Sequence, residues 1–85
     1  MLYPILSEYV GTLILIGVIA FVGNPLAIAA ALWIAIVTVG QMSGGHFNPA
    51  VTVWAYLSGK VSGVRALAHT LAQIAAAATI WVIKY

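Results

Sequence analysis

A chain of 85 residues that is 65% hydrophobic and 5% charged excludes a water-soluble domain, since Glu8, Lys60, Arg65 and Lys84 cannot supply a polar coat. The formal charge of +2 comes without a basic cluster, which excludes nucleic acid as a partner. Cysteine is absent, so there is no disulfide frame or thiolate, and His46 and His69 lack partner ligands at metal spacing; neither a metal nor a cofactor is expected.

The first predicted element is a membrane span over about residues 5–22, apolar except for Ser7, Glu8, Tyr9 and Thr12 and close to the roughly 20 residues a crossing needs. No Lys or Arg precedes it and it contains Glu8, so it reads as a retained span and not as a signal peptide. Gly23-Asn24-Pro25 supplies turn chemistry, because Pro25 disfavours helix at Asn24 and can open the next helix. The second span runs over about residues 25–41.

Met42-Ser43-Gly44-Gly45-His46-Phe47-Asn48 follows, and paired glycines with small polar neighbours predict an unwound backbone. Asn48 is a preferred N-cap and Pro49 suits the first helical position, which predicts a new helix over about residues 49–58. About ten residues at 1.5 Å each give roughly 15 Å, half the hydrocarbon thickness. This helix can enter a bilayer without crossing it. Ser58-Gly59-Lys60-Val61-Ser62-Gly63 is a polar break, and the third span covers about residues 64–83. Arg65 can snorkel from its start, Lys84, Tyr85 and Trp81 can anchor its end, and the small residues Ala75 to Ala78 allow close packing.

The expected fold class is therefore an all-α integral membrane protein: one unit over residues 1–85 with three transmembrane helices and one re-entrant half-helix. Lys60 and Arg65 share a side with the N-terminus while Lys84 lies opposite, which weakly favours a cytoplasmic N-terminus.

Broken backbone at membrane depth is tolerated only where it is buried in protein or lines a watery cavity, so residues 43–50 mark the functional site. The Pro49 helix start offers unpaired N–H groups and the positive end of a dipole, which repel cations and attract neutral polar solutes. The Asn48 side chain adds a donor. Asn48-Pro49 alone is more often the cap of an ordinary buried helix.

The longer string Ser43-Gly44-Gly45-His46-Phe47-Asn48-Pro49-Ala50-Val51-Thr52 resembles the first signature box of the aquaporin and aquaglyceroporin family nearly residue for residue. Glu8-Tyr9-Val10-Gly11-Thr12 looks like that family's first-span pattern, and Ala72-Gln73 like its matching polar brace. The likeness extends over nearly all 85 residues and is to the first of the family's two repeats. It implies that Asn48, Pro49 and Ala50 form the pore signature. It implies also that Glu8, His46 and Gln73 brace the loop, with His46 alternatively lining the vestibule. From the residues themselves, Glu8 could instead sit at the interface, Gln73 could be one interhelical hydrogen bond, and His69 reads as structural.

A second, inverted repeat is expected of the family and does not occur within these residues. The resemblance therefore implies an antiparallel second copy whose Pro49 helix meets this one at the midplane. The filter carried over by distance from Asn48 falls on Ile28 of one copy and Ile36, Gly45 and Val51 of the other. It is wholly apolar, where most water-selective members carry an Arg in the second repeat. The implied activity is passive passage of water and small neutral solutes such as glycerol, in a lipid bilayer, through a homo-oligomer. The alternatives are a non-conducting structural or regulatory subunit of a full-length member and an inactive relic. An enzyme is not expected, because Glu8, His46 and His69 do not assemble a nucleophile, base and orienting group.

Overall fold

The computed structural model describes residues 1–85 as four α-helices with no strand. Helix α1 spans Leu2–Phe21, α2 Pro25–Thr38, α3 Pro49–Leu57 and α4 Gly63–Lys84, with a short 3-10 turn at Gly40–Met42. α1 and α4, of 20 and 22 residues, are the two long and apolar enough to cross a membrane; at 1.5 Å per residue each is about 30 Å or more. α2 is apolar but shorter.

The caps follow from local chemistry. Asn24 accepts the Ala27 N–H through Oδ1 at 2.8 Å, with Pro25 in the first turn of α2. Asn48 does the same for Ala50 at 2.8 Å, with Pro49 behind it. Ser62 accepts the Arg65 N–H at 3.1 Å and opens α4. In each case a side-chain oxygen satisfies an N–H that the first helical turn leaves without a carbonyl.

The second helix is shorter than its expected limit at residue 41. It ends at Thr38, whose hydroxyl turns back onto the Ile34 carbonyl at 2.6 Å. The Val39 carbonyl accepts both the Ser7 hydroxyl and, at 3.2 Å, the Met42 N–H three residues on, and Gly40 accepts the N–H groups of both Ser43 and Gly44. Competition for these carbonyls diverts residues 39–42 from the α ladder into a tighter turn.

α1 is central, packing along α4 and against α2, while α3 lies on α4. One face of α4 carries His69, Ala72, Gln73, Ala76 and Ile80, all buried, and its alanines let the helices approach closely. The Tyr9 hydroxyl meets Thr79 Oγ1 at 2.7 Å across the α1–α4 seam. At the far end Lys84 Nζ donates to the Ala20 carbonyl at 2.7 Å, and the Trp81 and Tyr85 rings lie 5.7 Å apart.

The interior inverts that of a soluble domain. Of 17 buried residues eight are polar or charged, while large apolar side chains such as Leu26, Trp33, Leu67 and Trp81 are at least 61% exposed. Burying polar groups and exposing leucines is stable only where the surrounding solvent is itself apolar.

Candidate functional site

The site begins with Glu8, fully buried on α1. Its Oε1 accepts the Phe47 N–H and the Gln73 side-chain amide, both at 2.8 Å. Its Oε2 accepts the Ser43 hydroxyl at 2.6 Å and the His46 N–H at 3.1 Å. Four neutral donors thus share one carboxyl group, and both oxygens act purely as acceptors. Two of the four donors are backbone N–H groups of the unwound loop, so Glu8 fixes that loop's path directly. Ser43 extends the network by accepting the Gly45 N–H at 3.2 Å and approaching Ser7 Oγ at 3.0 Å.

Phe47 has φ of 51°, a region that side-chain-bearing residues rarely occupy. Two contacts hold it there: its N–H on Glu8, and its ring laid directly on Gly11, where even one added methyl would overlap the ring. Phe47 as a whole is 2% exposed. Glu8 and Gly11, one turn apart on α1, thus grip the same loop residue by its backbone and by its side chain.

That grip delivers the start of α3 to the middle of the molecule. Asn48 and Pro49 border a cavity of about 330 Å³ with Thr12 and Gln73, which lie near the midpoints of α1 and α4. Because Asn48 Oδ1 faces the Ala50 N–H, the Nδ2 group is left as an outward donor on an exposed residue. Two buried atoms of this cavity's residues, Thr12 Oγ1 and Gln73 Oε1, have no hydrogen-bond partner.

On the other side of the loop lies a cavity of about 470 Å³ lined by Gln41, Ser43, His46, Val51, Trp54, Lys60 and Arg65 among others. Two cations and no carboxylate face this space. Lys60 Nζ stands 5.1 Å from the centre of the Trp54 ring, a distance at which a ring face attracts a cation.

The expected residues are therefore distributed as follows. Glu8, His46 and Gln73 converge on one network, and Asn48, Pro49 and Ala50 form the capped start of α3. Ile36 and Gly45 are neighbours, since a Cβ on Gly45 would stand 3.6 Å from Ile36 Cγ1. Val51 faces the 470 Å³ cavity. Ile28 lies apart, in the first turn of α2 and two turns from Ile36.

Sequence spacing gave His46 and His69 no partner ligands, but the fold brings ligand atoms of Glu8, His46 and His69 within 4.8 Å of one another. These atoms are already engaged. The carboxyl oxygens hold four donors, and the two Nδ1 atoms face each other at 3.0 Å. A cation would have to displace the bonds that hold the loop, so the donor set fits a brace better than a metal site. His69, Thr52 and Arg65 were not singled out as site residues. The signal for the α4 pair lay in the spacing of Arg65, His69 and Gln73, four residues apart, which puts a polar stripe on one face of an apolar helix.

A family model described as Major intrinsic protein matches residues 4–84. Aquaporin Z of Photorhabdus laumondii subsp. laumondii is 41% identical over 69 residues, covering 76% of this chain and 30% of that protein. Probable aquaporin TIP1-2 of Oryza sativa subsp. japonica is 45% identical over 53 residues, covering 62% of this chain and 21% of that one. Glycerol uptake facilitator protein-like 6 of Lactiplantibacillus plantarum is 36% identical over 78 residues, with 81% and 36% covered. The chain thus spans between 21% and 36% of the length of these relatives. No solved structure gives a significant match. With nearly its whole length inside the family model, and with an apolar exterior around a polar brace, this chain is an integral membrane protein that belongs to the major intrinsic protein family, a family of channels and not of enzymes.

Proposed function

We propose that the chain is one half of a passive channel for water and small neutral solutes such as glycerol, completed by an antiparallel second copy. In this reading α1, α2 and α4 cross the bilayer, and α3 enters from one side and ends at the midplane. The observation that carries it is the start of α3, held at mid-molecule by Glu8 with an outward Asn48 donor, beside the unpaired Thr12 Oγ1 and Gln73 Oε1. Asn48 and Pro49 are exposed at the cavity they border, so the helix start and its free amide donor form a surface that a second half would close. The relatives named for water and for glycerol passage support the permeant class.

The two joined α3 starts would set a positive potential at the midplane, and Lys60 and Arg65 repeat that sign in the outer cavity. Both oppose cations and leave neutral solutes unhindered. Ile28 of one copy with Ile36, Gly45 and Val51 of the other would form an apolar filter, in which selectivity rests on width and on the helix dipoles.

The test is osmotic shrinkage of reconstituted liposomes followed by stopped-flow light scattering, with Ala50→Trp as the blocked variant. Fast shrinkage lost in Ala50→Trp supports the pore, and rapid reswelling in glycerol extends it to that solute. Shrinkage no faster than in empty liposomes, from folded and assembled protein, refutes the homomeric channel. Flux that appears only with a full-length family member would assign the chain to a subunit of that partner instead. Cysteines placed at positions 2 and 84 and labelled in sealed vesicles should each react from both sides; a single orientation would remove the antiparallel pair.

A further inference from the structure

His46 is 8% exposed and His69 fully buried, yet both rings have directional partners. Arg65 Nε donates to His69 Nε2 at 3.3 Å, and Arg65 Nη2 donates to the Met42 carbonyl at 3.3 Å. A guanidinium has no acceptor, so His69 Nε2 must present its lone pair, and the proton of that ring sits on Nδ1. The ring neighbour of His69 Nδ1 is His46 Nδ1 at 3.0 Å. His46 Nδ1 must therefore accept, which leaves its own proton on Nε2.

Thr52 leaves this order in place. Its hydroxyl oxygen accepts the Gln73 amide at 2.9 Å and lies 3.0 Å from His46 Nδ1, whose single lone pair already meets the His69 Nδ1–H, so the hydroxyl at most shares that acceptor. The outer end of the chain is open. His46 Nε2 makes no hydrogen bond within the protein, and the ring lines the 470 Å³ cavity with Val51, Lys60 and Arg65. Residue 44, with φ of 100°, keeps it open, because a Cβ there would stand 3.3 Å from Nε2.

We infer that Arg65 and His69 are positioning residues that fix His46 as its Nε2–H form, making His46 a standing hydrogen-bond donor in the cavity wall for the oxygen of a neutral permeant. The tautomer order follows from geometry alone; its use by a permeant rests on the channel reading. A ring free to exchange tautomers would offer the cavity a donor at one moment and an acceptor at the next. A permanently charged donor two links away removes that ambiguity without charging either ring.

The test is solid-state NMR of ring-15N-histidine protein in bilayers, where the chain's two histidines give two ring systems. His69 should be protonated on Nδ1, the minor form of a free imidazole side chain, and His46 on Nε2. Arg65→Leu should release His69 into a tautomer mixture, and Arg65→Lys, also a pure donor, should restore the order. A wild-type His69 protonated on Nε2, or a pattern unchanged in Arg65→Leu, overturns the relay.

Flux decides the donor role separately. His46→Leu should lower osmotic permeability per assembled protein about fivefold, the worth of one ordinary hydrogen bond, and His46→Gln, which restores an amide N–H near that point, should regain most of it. Equal loss in both variants overturns the donor. Wild-type protein that conducts nothing while showing the expected tautomers would overturn the channel reading and leave the relay standing.

Discussion

Replacing Glu8 by Gln changes one oxygen into an amide nitrogen and keeps the side-chain size, so its effect reads the bonding of that group alone. The Gln oxygen can still take two of the four donors that now converge on Glu8. The NH2 end must face the other two, which turns two attractive contacts into donor against donor. A hydrogen bond to a charged acceptor contributes about 1.5–3 kcal/mol, so losing two costs roughly 3–6 kcal/mol. That is comparable with the whole stability of a chain this size, about 4–13 kcal/mol at ordinary stability per residue.

The loop should yield first, because the His46 and Phe47 N–H groups have Glu8 as their partner while the helices keep their own ladders. Hydrogen exchange in detergent or bilayer should show these two amides exchanging at least about a hundredfold faster in Glu8→Gln, with α1 and α4 less affected. Denaturant titration of the same protein should show the matching loss. A stability change below about 1 kcal/mol, with the two amides as protected as in wild type, would refute the account of Glu8 as the group that holds the loop.

Gly11→Ala should destabilise the protein by about 1–3 kcal/mol, as overpacking does, because the new methyl meets the Phe47 ring; Phe47→Leu in the same chain should recover part of it, and strict additivity in thermal melts would contradict the contact. Asn48→Ala should cost about 1 kcal/mol from the lost cap on Ala50 and, in the liposome assay, should lower flux further than that loss of folded protein explains. Val51→Arg should place a third cation in the 470 Å³ cavity and reduce glycerol passage more than water passage; equal reduction of both would argue against Val51 as part of a size filter. Tyr9→Phe should cost about 1 kcal/mol in denaturant titration, the worth of the hydroxyl contact with Thr79.

The helices and the signature loop were legible because their causes are local. Asn24-Pro25 and Asn48-Pro49 announce their helix starts through side-chain caps and a fixed φ, and the apolar lengths of α1 and α4 announce a membrane. The early end of α2 was not legible, because Ser7, more than thirty residues away, donates to the Val39 carbonyl. The resemblance to a known family identified Glu8, His46 and Gln73 as a brace, but it did not say which donor meets which oxygen. His69 looked merely structural since a histidine's role depends on what its two nitrogens face, and those neighbours, Arg65 on one side and His46 on the other, come together only in the fold. The contact of Gly11 with Phe47 is likewise a tertiary fact, invisible in the spacing of either residue.

The bonds of Glu8 also bear on how the chain enters a membrane. Its partners at Ser43 and Gln73 lie 35 and 65 residues further along, so during synthesis the first helix emerges with its carboxyl group unmatched. A lone ionisable side chain in a bilayer costs several kcal/mol, and the donors that offset it arrive only with the loop and the last helix. Helix α1 is therefore made well before it is secured, and until α4 is in place it should remain free to slide, tilt or withdraw.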